Sequence, residues 1–270
     1  MLALVVSPVA DEIELAADVL WSLGVVAIEE RSVDGNVELW TSLGDEIDAL
    51  PDSALQRLDR WSWRFVEVDE GVADTWRAHA KAVYIDTDRV ICPAWVSIDA
   101  NAGVTILRIE PGATFGLGDH PTTMLSVRAL RAALFDRATV LDVGCGSGVL
   151  AVGACVLGAS SATAIDISPA SVPITRSNAE ANGVADRVHA SLTPLADVEG
   201  VFDIVVANIL APTLIDLADD LRRVVAPTGV LIVSGVLADR HDHVETALLP
   251  LRRTHVDTLD GWAAITLSAR

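Results

Sequence analysis

The spacing of apolar and polar positions changes character near residue 122. Before that point short apolar runs alternate with polar breaks. Residues 2–7 read as a strand, and 11–23 carry the spacing of an amphipathic helix with Asp11 at its start. Residues 25–31 and 36–41 read as strands about the turn signal Asp34-Gly35. A short helix over 51–58 and an alternating strand over 63–68 complete an order that suits a small α+β, ferredoxin-like module. Residues 69–110 read as a connector, with a helix over 76–81 and then the run Ile91-Cys92-Pro93-Ala94-Trp95.

From residue 122 strands and helices alternate to the end. Strands are expected at 140–143, 162–166, 188–192, 204–207, 230–234, 254–259 and 263–267, with Pro169 and Pro212 near two helix starts. This alternation means a parallel, doubly wound sheet of the Rossmann-like, α/β kind. The last two strands flank Asp260-Gly261 so closely that they can pair only antiparallel. The organisation expected is therefore a small domain over 1–68, a connector over 69–110 and a seven-stranded α/β domain over 111–270.

Composition narrows the classes. Apolar residues make up 51% of the chain, enough for a sizeable core. The formal net charge is −19, and Lys81 is the only lysine. Such a surface repels phosphate backbones, so no direct nucleic-acid contact is expected, and it steers toward a basic partner such as a cationic protein. The three cysteines, Cys92, Cys145 and Cys155, lack metal-site spacing, so no metal is expected, and their odd number argues against a disulfide framework. The apolar start has no basic residues and is broken by Pro8, Asp11 and Glu12, which reads as a strand and not a targeting segment. The apolar stretch 148–165 holds Gly153, Gly158, Ser160, Ser161 and Thr163, which suits a buried helix, a turn and a strand better than a membrane span. A soluble, cytoplasmic protein with no membrane partner is expected.

Candidate chemistry gathers at Asp142-Val143-Gly144-Cys145-Gly146-Ser147-Gly148, where an apolar strand runs into glycines and then a helix. Glycine permits a sharp turn and close approach of a ligand, and the helix N-terminus offers N–H groups and partial positive charge. Taken alone, the turn suits a dinucleotide site or is merely a tight turn. Asp166 ends the next strand 22 residues after Gly144, where an acid can hold both hydroxyls of a ribose. Asp142 lies within reach of an amino-acid ammonium, which suits S-adenosyl-L-methionine, a nucleoside carrying an amino acid; its bland role is that of a turn-capping residue. Asn208 ends the fourth strand of the sheet and faces the same crevice, where its amide oxygen can accept a hydrogen bond from an amine, or merely cap a loop. Residues 111–123 are rich in loop formers. Thr122 or Thr123 can cap the following helix, and His120 is a candidate base or a local hydrogen-bonder.

Several motifs together resemble the ribosomal protein L11 methyltransferase family (PrmA). Residues 111–123 read PGATFGLGDHPTT, against a family pattern P-G-x-A-F-G-T-G-x-H-x-T-T. Asp142 to Ala151 match the pattern D-x-G-C-G-S-G-[IV]-L-A, and Val205 to Ala211 match V-V-A-N-I-L-A. Val233-Ser234-Gly235-Val236-Leu237 matches a later pattern with Val in place of Leu, and residues 76–81 and 91–95 match as well. Leu117 and Thr114 depart from the family's usual Thr and Ala, and Asp119 is an unusual acid in that loop.

The resemblance implies an N-terminal ferredoxin-like domain that docks the ribosomal protein and a seven-stranded methyltransferase sheet. It implies an enzyme that moves methyl groups from S-adenosyl-L-methionine to lysine ε-amines and an N-terminal α-amine of ribosomal protein L11, leaving S-adenosyl-L-homocysteine. The donor contacts it implies, joined to the residue reading above, are Phe115, Gly116, Thr123, Asp142, Gly144, Gly146, Asp166 and Asn208, with Asn208 as the catalytic candidate. Two alternatives stay open: a methyltransferase of the same fold acting on another protein lysine or small amine, and, from a different class, a NAD-dependent oxidoreductase.

Overall fold

A computed structural model of the chain describes residues 2–9, 12–23, 27–33, 35–42, 55–67, 81–98, 103–110 and 120–269. These fall into two compact units, one holding the described residues up to Glu67 and the other those from Lys81 onward.

The first unit is a four-stranded antiparallel sheet of β1 (Leu2–Ser7), β2 (Ala27–Val33), β3 (Asn36–Ser42) and β4 (Ser62–Glu67), in the order β2-β3-β1-β4. Helix α1 (Ile13–Ser22) joins β1 to β2, and a single 3₁₀ turn at Gln56–Leu58 precedes β4. This is the expected ferredoxin-like order. Leu4, Val6, Ala16, Leu20, Leu39, Leu58 and Trp61 form its core. The Trp61 indole N–H donates to Glu12 at 2.8 Å, and Arg60 pairs with the same carboxylate, so the start of α1 is tied to the turn before β4. The helices expected over 51–58 and 76–81 fall largely outside the described residues.

The second unit holds two sheets. Within the stretch 69–110, strands β5 (Val83–Asp86), β6 (Arg89–Pro93) and β7 (Thr105–Ile109) form a three-stranded sheet in that order, antiparallel between β5 and β6 and parallel between β6 and β7. Its Ile85, Ile91, Leu107 and Ile109 enter the main core. The larger sheet has seven strands: β8 (Thr139–Val143), β9 (Ser161–Ile165), β10 (Val188–Ser191), β11 (Phe202–Asn208), β12 (Val225–Leu237), β13 (Arg252–Leu259) and β14 (Trp262–Ser268). Their order is β10-β9-β8-β11-β12-β14-β13, parallel through β12 and closed by the β13–β14 hairpin. The expected doubly wound sheet and its terminal hairpin are both present.

The central strands are apolar without alternation because both faces are covered. Ile204 and Val206 of β11 and Ile232 of β12 point into one core, shared with α2 (Pro121–Ala133), α3 (Val149–Val156) and α4 (Ser171–Ala181). Val205, Ala207, Leu231 and Val233 point into the other, shared with α5 (Ala211–Asp216), α6 (Ala218–Arg223) and α7 (Asp242–Ala247). The edge strand β13 carries Arg252, Arg253 and Asp257, charges that oppose pairing with another chain.

One close approach fixes the rim at the carboxyl ends of these strands. Gly235 lies at φ +83° where the β12–β14 register shifts between Ser234 and Val236, and a Cβ there would fall 2.4 Å from the carbonyl oxygen of Ile209. Gly261 has nearly the same φ, +82°, with open space around it. Gly261→Ala therefore incurs only the left-handed backbone cost of about 1–2 kcal/mol. Gly235→Ala adds a backbone clash and loses about 2–3 kcal/mol more. Urea denaturation of the two variants measures the difference, and equal losses would remove the close approach as the reason for the glycine.

Candidate functional site

The chain leaves the central strand β8 toward β9 and β10 on one side, then returns to β11 and β12 on the other. The crevice between β8 and β11, at their carboxyl ends, is the switch point where open α/β sheets bind ligands. Strand register brings the expected residues to this rim. Val143 pairs with Ile165 and with Ala207, so Gly144, Asp166 and Asn208 emerge side by side, and Asn208 pairs with Ser234.

The glycine turn is held from several directions. Gly144, Gly146 and Gly148 lie at φ +74°, +52° and +77°. The Ile165 carbonyl accepts from the N–H groups of Gly144 and Cys145 at 2.9 and 3.1 Å. The space a Cβ would take at Gly144 is filled by the Ile209 side chain at 2.5 Å, and at Gly148 by Thr175 from 2.6 Å. These two glycines are thus required by packing within the protein as well as by their φ. Asp166 closes the turn, its Oδ2 accepting from the Gly146 N–H and its Oδ1 from the Ser168 N–H, both at 2.8 Å.

Asp142 is fully buried in β8. Its Oδ2 accepts from the Ala151 N–H at 2.9 Å in the first turn of α3, and its Oδ1 has no hydrogen-bond partner. Burial pushes its carboxyl up to about 7; the Ala151 N–H opposes the shift, and the negative charge of Asp166 adds to it. The acid is both the turn-capping residue and an unsatisfied acceptor at the head of the site. Burial, with the charge of Asp142, also holds the Cys145 thiol well above its ordinary range, so it is no nucleophile. Cys92, Cys145 and Cys155 are all buried and free.

Helix α2 starts at the same rim. Its N-cap is His120, with Pro121 at the first position, so neither Thr122 nor Thr123 performs the capping. The His120 Nδ1 accepts from the Thr122 N–H at 3.3 Å, and its ring packs edge-on against Trp262 at 5.3 Å. Held in this way, His120 is a structural cap. The Ser234 hydroxyl donates to the Ala263 carbonyl at 3.0 Å and lies 3.4 Å from the Thr122 carbonyl, joining the start of α2 to β12 and β14. Thr123 is buried and its Oγ1 has no partner. Phe115 and Gly116 lie outside the described residues.

The sequence reading missed one surface. Ile167, directly after Asp166, is 97% exposed, and Leu192, directly after β10, is 48% exposed. Large apolar side chains standing in solvent beside a strand-end acid suit a flat aromatic ligand. The available signal was a large apolar residue, Ile167, one position past the strand end expected at Asp166, and another, Leu192, closing the strand expected at 188–192.

The family model for ribosomal protein L11 methyltransferase (PrmA) matches residues 26–270. The chain is 45% identical over 182 residues to the ribosomal protein L11 methyltransferase of Citrifermentans bemidjiense, over 65% of this chain and 60% of that protein. It is 39% identical over 211 residues to the protein of the same name from Geotalea daltonii, over 73% of this chain and 67% of that one. The crystal structure of ribosomal protein L11 methylase from Lactobacillus delbrueckii subsp. bulgaricus superposes with a TM-score of 0.64 at 33% identity, covering 70% of this chain and 97% of that one. The chain spans about three fifths of the length of the first curated relatives it matches.

The buried acid makes a prediction. Its carboxyl is raised on folding, so the folded state holds its proton more tightly, and stability falls as pH rises from 3.8 to about 7, then levels. Asp142→Asn removes this titration. The stability of the variant relative to the native protein should climb across that window, by up to about 1.4 kcal/mol per pH unit. Denaturation at pH 4.5 and 8 tests it, and a difference independent of pH would contradict the account.

Proposed function

The chain belongs to the ribosomal protein L11 methyltransferase family, and from that premise we propose that it moves a methyl group from S-adenosyl-L-methionine to lysine ε-amines or the N-terminal α-amine of ribosomal protein L11. The observation that carries this reading is the meeting of Gly144, Asp166 and Asn208 at the switch point, above a buried acid whose Oδ1 lacks a partner. A dinucleotide site needs no acid before its glycines, whereas a ligand with an amino-acid head does.

The residues fit such a donor. Asp142 would attract its ammonium, since an unpaired carboxylate oxygen in a dry site favours a cation. Asp166 already accepts two backbone N–H groups, and each carboxylate oxygen retains a lone pair for a ribose hydroxyl. Ile167 would lie against the base, and the orphaned Thr123 Oγ1 would find its partner in the donor. Gly144 and Gly146 supply the backbone of the turn; Phe115 and Gly116 are carried from the family motif. The group supplies an electrophilic methyl on a sulfonium.

The protein's work is to orient and to exclude water. The Asn208 amide oxygen accepts a hydrogen bond from the incoming amine and aims its lone pair, and alignment of this kind can lower a barrier by about 7–11 kcal/mol at best. A lysine amine, with a pKa of about 10.4, must lose its proton before it attacks, and exclusion of water as the site closes disfavours the ammonium. No strong base is needed, which agrees with His120 being engaged as a cap. The charge of −19 suits a basic protein substrate, and the acidic first unit suits its docking. A cytoplasmic enzyme is the natural setting; no helix among the described residues is long and apolar enough to cross a membrane.

Calorimetry separates the donor classes: S-adenosyl-L-methionine should bind and NAD should not, and the reverse would overturn the reading. Asn208→Ala should lower kcat by about tenfold to a hundredfold, a larger loss than the accompanying weakening of donor binding. Full kcat in that variant would remove the orienting role.

A further inference from the structure

The outer edge of β7 is completed by side chains. One edge of β7 pairs with β6, and along the other two asparagines from α4 and its end take the place of a strand. The Arg108 N–H donates to Asn182 Oδ1 at 2.9 Å, and Asn182 Nδ2 donates back to the Arg108 carbonyl at 2.6 Å. The Glu110 N–H donates to Asn178 Oδ1 at 2.9 Å, and Asn178 Nδ2 donates back to the Glu110 carbonyl at 2.7 Å. Each amide reproduces one rung of a β-ladder. For β7 the two are equivalent.

For the glycine turn they are not. The Asn178 Nδ2 also donates to the Ser147 carbonyl at 2.8 Å, in a position where the side chain is 2% exposed. One helical turn earlier, the buried Thr175 hydroxyl donates to the Gly146 carbonyl at 3.2 Å. The inner face of α4 thus holds two successive carbonyls of the turn. In a trans peptide the following N–H points the opposite way, so fixing the Gly146 carbonyl toward α4 fixes the Ser147 N–H away from it, while the Gly148 N–H is held within the turn by the Cys145 carbonyl at 2.7 Å. Asn182 touches no part of the turn in this set of bonds; its remaining donor contact is to the Asn178 carbonyl at 2.7 Å.

We propose that Asn178 is a positioning residue of the donor site, which locks the glycine turn to the end of β7 and sets its peptide orientation for binding. This rests on the methyl-donor reading above. It asks more of Asn178 than stability: both asparagines should support the fold, and only one should govern the site. The Asn178 amide bonds three backbone groups from a position 2% exposed, and a shorter side chain would lose all three bonds together.

The test compares Asn178→Ala with Asn182→Ala in the full chain, using thermal unfolding for stability and calorimetry with S-adenosyl-L-methionine and S-adenosyl-L-homocysteine for binding. Both variants should lose Tm by similar amounts. Donor affinity should fall about tenfold or more in Asn178→Ala and stay within about twofold in Asn182→Ala. In turnover, KM for the donor should rise in Asn178→Ala while KM for the protein substrate holds. Should Asn178→Ala fail to fold, Asn178→Ser, which keeps a hydroxyl on a side chain too short to hold the Ser147 carbonyl, serves in its place with the same expected loss of donor affinity. Equal affinity losses in the two variants, or none in either, would reduce Asn178 to a structural residue and overturn the proposal. Failure of the native protein to bind the donor would instead overturn the methyltransferase reading, and this inference with it.

Discussion

The rim depends on one steric fit: Ile209 lies between two glycines. Its side chain occupies the space a Cβ would need at Gly144, and its carbonyl lies where a Cβ would stand on Gly235. Three strands, β8, β11 and β12, are brought together at their carboxyl ends by this contact, and Asn208 is the residue next to it. A larger residue at either glycine would push Ile209, and with it the end of β11 that carries Asn208, away from the turn. The position of the amide is therefore set by packing two residues on either side of the crevice, without any hydrogen bond to its own side chain being needed.

Around that fit the site is built from polar groups that the fold has satisfied almost completely. Asp166 accepts from the turn and from the backbone after it, Thr175 and Asn178 hold the turn's carbonyls, and His120 caps the helix that begins at the rim. Two atoms stand out against this background, the Oδ1 of Asp142 and the Oγ1 of Thr123, both buried and both unpartnered. Buried polar atoms without partners cost about 1–3 kcal/mol each, and these two are what support the donor site proposed above.

Much of this was legible in the sequence, for physical reasons that differ by element. The strands of the large sheet announce themselves because a strand covered on both faces must be apolar throughout, and Ile204 to Ala207 is such a run. The terminal hairpin follows from the short spacing around Asp260-Gly261. The glycine turn, Asp166 and Asn208 follow from where doubly wound sheets bind ligands. The three-stranded sheet of β5, β6 and β7 was not legible. Its strands are four or five residues long, and its β6–β7 pairing is parallel across a long connection, which leaves no local pattern. Asn178 and Asn182 were equally hidden, because an asparagine on a helix reads as solvated until the backbone it pairs with is known. His120 was read as a loop residue, since the expected caps were Thr122 or Thr123, whereas proline at the first helical position puts the cap at His120, two residues before Thr122.

The central claim is that this rim transfers a methyl group to an amine of a basic ribosomal protein. Incubation of the purified protein with methyl-labelled S-adenosyl-L-methionine and ribosomal protein L11, followed by mass spectrometry of the product, tests it most directly. The account predicts label on lysine or N-terminal nitrogen of L11, reduced in Asn208→Ala. Label absent from L11, while the donor binds tightly, would contradict the assigned substrate; neither binding nor transfer would contradict the claim as a whole.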